Sequence, residues 1–87
     1  MTTLRSFKSK YMSRLLELKN ELLSKYPEKS ERITFLTDML MNKLRNLRTS
    51  DISDYLFTVY QCEKEFNEFK RLQPCSEEVD ELLEEEE

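Results

Sequence analysis

Apolar residues recur along the first part of the chain in steps of three and four: Leu4, Phe7, Tyr11, Leu15, Leu18 and Leu22. That spacing lines up one face of an α-helix and predicts a first helix over 4–24, with Thr2 and Thr3 as caps. A second set, Met12, Leu16 and Leu23, lies about 100° around the same cylinder. Together they form an apolar arc near half the surface, wider than one neighbouring helix needs. Ser6, Lys10, Ser13, Glu17, Asn20 and Ser24 take the solvent side.

Pro27 interrupts this pattern, since a proline inside a helix removes a hydrogen bond but is welcome in a first turn. The spacing of Ile33, Leu36, Leu40, Leu44 and Leu47 predicts a second helix over 28–48. Phe35 and Met39 fall on nearly its opposite side, so this helix is expected to contact two neighbours. Thr49-Ser50-Asp51-Ile52-Ser53-Asp54 is a dense helix-start signal. A third helix over 51–72 then carries Tyr55, Val59, Cys62, Phe66 and Phe69 as its buried stripe, with Ile52 and Leu56 beside it, and ends at Pro74. Short links make sequential helices antiparallel neighbours. The expected fold is therefore all-α, a three-helix antiparallel arrangement over residues 1–74.

Residues 75–87 read differently. Eight of the thirteen are acidic, and like charges at helical spacing repel, so this segment is expected to be a disordered acidic tail. Val79, Leu82 and Leu83 sit at helical spacing within it and fit an acidic dileucine pattern. Two further readings follow: the segment docks in a groove as a small amphipathic helix, or it lies on the basic half as a decoy for phosphates.

Composition narrows the choice. At 87 residues the chain is one domain at most, and a chain with no Gly is pushed away from tight-turned β architectures. Charge is unevenly spread. Residues 1–50 hold eleven Lys/Arg against five Asp/Glu, and residues 51–87 hold three against thirteen, so halves of +6 and −10 make the net −4. Such a molecule can steer anionic partners with one half and shield that surface with the other.

Missing residue types exclude most chemistry. Without His there is no histidine-based nucleophile system or general base, and two cysteines cannot complete a structural zinc set. Without Gly there is no phosphate loop or dinucleotide fingerprint. The acids fall on exposed faces or in the tail, with no apolar surroundings to raise a pKa. The chain is expected to be no enzyme and to need no cofactor, metal or small-molecule substrate. On one continuous helix Cys62 would lie about 18 Å from the region of Cys75, beyond the ~7 Å that a disulfide spans. Reduced thiols fit a cytoplasmic or nuclear setting. No opening signal peptide and no membrane-spanning apolar run are read in the sequence.

Two functions compete. In the first, the chain is a protein-interaction module, a homodimer or a small subunit of a larger complex, with Leu15, Leu18, Leu22, Leu40 and Leu44 inside and Met12, Leu16, Leu23, Phe35 and Met39 at the interface. In the second, it is a helical nucleic-acid binder, with double-stranded RNA as a candidate ligand, that places Arg5, Lys8, Arg14, Lys43, Arg45 and Arg48 on phosphates.

Overall fold

Thr3 starts the first helix. Its hydroxyl accepts from the Ser6 amide at 3.1 Å, and the Ser6 hydroxyl accepts from the Thr3 amide at 3.0 Å. This reciprocal pair satisfies two amides that a helix start leaves orphaned. In the computed structural model, which describes residues 3–84, helix α1 runs over Leu4–Lys25. Tyr26 leaves the helical region (φ −129°, ψ 67°) because the ring of Pro27 disfavours it there. A single 3₁₀ turn, Pro27–Lys29, then leads into α2 over Ser30–Arg45. A second such turn, Thr49–Asp51, leads into α3 over Ile52–Glu65. A fourth α-helix, α4, covers Ser76–Glu84. No strand occurs among the described residues, so the fold is all-α.

Two expectations need correction. The third helix does not continue to residue 72. Phe66 is extended (φ −131°, ψ 105°), and Asn67–Leu72 form a six-residue 3₁₀ helix. The reason lies in the spacing of Phe66, Phe69 and Leu72, which are all buried. A 3₁₀ helix has three residues per turn, so side chains at i, i+3 and i+6 stack above one another. In an α-helix the same three would drift around the cylinder by about 60° per step. The tighter winding keeps all three in the core.

The second correction concerns the acidic segment, expected to be disordered. Ser76–Glu84 is helical, and Leu82 is fully buried in the same core as the other helices, with Val79 packed against it. Burial of one leucine and part of a valine, together with a cation beneath Glu78, offsets the repulsion among the acids. Residues 85–87 of that segment lie outside the described residues.

Cross-bundle ion pairs fix the register. Arg32 meets Glu65 at 2.7 Å and Lys43 meets Asp54 at 2.6 Å, so α2 and α3 run antiparallel. Lys25 meets Glu68 at 3.0 Å, Arg71 meets Glu21, and Lys10 meets Glu78 at 3.2 Å, so the C-terminal leg runs antiparallel to α1. Helix α1 is thus flanked by α2 on one side and by the 3₁₀ helix and α4 on the other. That double packing explains most of its wide apolar arc. The molecule is elongated, 43 × 20 × 18 Å.

The core takes the predicted stripe: Leu15, Leu18, Leu22, Leu40 and Leu44 are fully buried. Thr37 joins them, tolerated because its hydroxyl donates to the Ile33 carbonyl one turn back, at 2.8 Å.

Candidate interaction surface

Phe35 lies off the buried stripe of α2, and the fold leaves it 58% exposed. Phe57, on the side of α3 away from Val59 and Cys62, is 60% exposed. Both rings border one groove between α2 and α3, with a volume near 370 Å³, whose walls also include Leu36 and Met39. Thr58, Gln61 and Cys62 contribute from α3. One end is closed by Arg32, whose Nε and Nη2 donate to the two carboxylate oxygens of Glu65 at 2.7 and 2.8 Å. This two-point geometry holds the guanidinium in a fixed plane, 5.6 Å from the centre of the Phe35 ring. The hydrogen bonds from Arg32 hold the Glu65 carboxyl below its ordinary range.

The groove is lined mainly by apolar and uncharged side chains. Its one thiol, Cys62, is pushed up to about 11 by burial, with the Glu65 carboxylate adding to the effect. It is therefore a thiol rather than a nucleophilic thiolate at neutral pH. Among the described residues, no group of three or more Cys, Asp or Glu side chains could hold a metal ion. Phenylalanine, methionine and arginine are residue types enriched at protein interfaces.

The five residues expected at an interface do not form one patch. Phe35 and Met39 line the groove. Met12, Leu16 and Leu23 stand on α1 and none of them lines it. Met12 and Leu23 are half-buried against the core, which leaves Leu16, at 48%, as the exposed member of that set. Sequence reasoning missed Phe57 and Tyr60, both exposed on α3. The signal was present: Phe57 is off the Tyr55, Val59, Cys62 stripe in the way that Phe35 is off its own.

Two of the candidate phosphate contacts are already engaged within the bundle. Lys43 is committed to Asp54, and Arg14 lies over the Tyr11 ring at 4.9 Å. Arg5, Arg45 and Arg48 are exposed and Lys8 is half-buried. Lys10, Lys25, Arg32 and Lys43 of the N-terminal half pair with acids of the C-terminal half. The charge separation seen along the sequence is thereby folded into pairing across the bundle. No helix of the described residues is long and apolar enough to cross a membrane. No protein-family model matches the chain, and no curated protein or solved structure is significantly similar to it.

Proposed function

We propose that this chain is a non-enzymatic protein-interaction module that associates with a second copy of itself through the α2/α3 groove. The observation that supports this reading is the pair of phenylalanines, Phe35 and Phe57, each more than half exposed on the two walls of one apolar groove. Leaving two such rings in water forgoes a stabilisation on the order of 2 kcal/mol each, which a covering partner recovers. A two-fold contact places each groove against its own image, so the rim must be self-complementary. Arg32 and Glu65 bring both signs to the end of the groove, and Glu28, Lys29 and Glu31 line the adjoining hollow beside Phe35, which supports such a contact.

A second reading, nucleic-acid binding, draws on the topology. The antiparallel α1–α2 hairpin brings Arg5 and Lys8 to the same end of the bundle as Arg45 and Arg48. Lys43 and Arg14 of the same set are already occupied, which favours the first reading.

Sedimentation of wild type against Phe35→Glu and Phe57→Glu tests the proposal. The wild type is expected to associate at high concentration, and each variant to sediment as a monomer with unchanged helicity. A monomeric wild type would end the reading. A duplex-RNA titration run alongside favours the second reading if binding appears and weakens steeply with salt, with a log–log slope near −0.9 per phosphate contact.

A further inference from the structure

Helix α4 is built from material that makes a poor helix on its own. Five of its nine residues are acidic, and no basic residue sits in its last turn to complement the dipole. It meets the rest of the molecule through few residues. Leu82 is fully buried, Val79 is half-buried, and the Glu78 carboxylate meets Lys10 of α1. The Glu78 carboxylate accepts from Lys10 Nζ at 3.2 Å on one oxygen and from the Tyr11 hydroxyl at 3.2 Å on the other. Arg14 lies over the face of that same tyrosine. Burial works against the ionised Glu78 carboxylate, yet Lys10 and the Tyr11 hydroxyl outweigh it and hold the carboxyl below its ordinary range. A three-residue link, Gln73–Cys75 with Pro74 at its centre, joins α4 to the bundle.

We infer that the face of the bundle beneath α4 is a docking groove for an acidic amphipathic helix of a partner protein, and that α4 is its resident, displaceable occupant. The groove reads three features at fixed spacing: a carboxylate for Lys10 and Tyr11, an apolar side chain one residue later, and a second apolar side chain three residues after that. In α4 these are Glu78, Val79 and Leu82. Asp80, Glu77 and Glu84 stay exposed and add repulsion without contact, so a partner helix with the same three features and fewer spare acids outcompetes α4. A nucleic acid fits less well. Its phosphates satisfy Lys10 and Arg14 but leave the seat of Leu82 empty. The surface is separate from the α2/α3 groove, none of whose lining residues it shares.

The test uses the full chain and a fluorescent peptide with the sequence of residues 75–87 as probe. Leu82→Asp unseats α4, and Glu78→Gln removes the pairing with Lys10 without cutting into the core. Both variants are expected to bind the peptide at least tenfold more tightly than wild type by anisotropy, and Lys10→Glu in either background is expected to abolish the gain. Phe35→Glu should leave peptide binding unchanged, which separates this surface from the self-association face. Neither variant gaining affinity would overturn the inference. So would a gain that survives Lys10→Glu, or a Leu82→Asp chain that binds duplex RNA and not the peptide. If Leu82→Asp abolishes cooperative unfolding, the Glu78→Gln comparison decides alone.

Discussion

Tyr55 is 1% exposed, and its hydroxyl has no hydrogen-bond partner among the described residues. Its ring meets Phe7 edge-on at 6.2 Å, so the aromatic body is well placed while the polar tip is not. Burial pushes its phenol far above the ordinary range. A buried unpaired hydroxyl costs about 1–3 kcal/mol, so Tyr55→Phe is expected to leave stability unchanged or raise it by roughly 1 kcal/mol, read by thermal denaturation. A loss of that size would mean the hydroxyl is paired. Tyr11 makes the contrast: burial first, and then the Glu78 carboxylate, raise its phenol to about 12, and its hydroxyl donates to Glu78. Neither difference is visible in the sequence. Both tyrosines occupy the apolar stripe of their helix, and spacing cannot say which hydroxyl finds an acceptor.

At the scale of elements, the three long helices were legible from periodicity and from their start signals. The change of winding at Phe66 was not. Steps of three and four both satisfy an α-helical face, and the run Phe66, Phe69, Leu72 differs only in using threes throughout. Phe69 is fully buried and lies 6.2 Å from Phe66, centre to centre, so the 3₁₀ helix rests on that pair. Phe69→Ala is expected to cost about 3–5 kcal/mol in denaturant unfolding. A cost below about 1 kcal/mol would show that this segment contributes little to the core. Helix α4 was hidden for a different reason. Its charge pattern speaks for disorder, and the polar contacts that Glu78 makes, with Lys10 and Tyr11, reach more than sixty residues back along the chain.

At the scale of the molecule, four glutamates that pair across the bundle share one pH dependence. Hydrogen bonds from Arg71, Arg32 and Lys25 hold Glu21, Glu65 and Glu68 below their ordinary value of 4.5, and Lys10 with Tyr11 does so for Glu78 against the opposing effect of burial. A carboxyl whose folded pKa lies below its unfolded one favours the folded state above the unfolded value, and that contribution is lost as pH falls through the folded value. Stability is therefore expected to be level around neutral pH and to fall as pH drops through 4.5, followed by melting temperature across an acid series; the raised Cys62, Tyr11 and Tyr55 groups add a separate decline on the alkaline side, above their ordinary values of 9.0 and 10.0. Most of these groups are exposed, so solvent weakens each pair and the decline should be gradual. A melting temperature that rises on acidification would contradict the pairing described here.

Sequence alone determined the helical class and the buried stripes of the first three helices, because periodicity and residue type are local properties. It also marked Phe35 and Met39 as off-stripe apolar positions, for the same reason. The tertiary structure decided which apolar surplus is covered and which is left over. Met12 and Leu23 are largely spent on neighbours of α1, while Phe35 and Phe57 come together from different helices into one groove. It decided as well that the acidic segment folds back on α1, because the stability of that helix depends on a cation, a phenol and an apolar seat that only packing brings within reach.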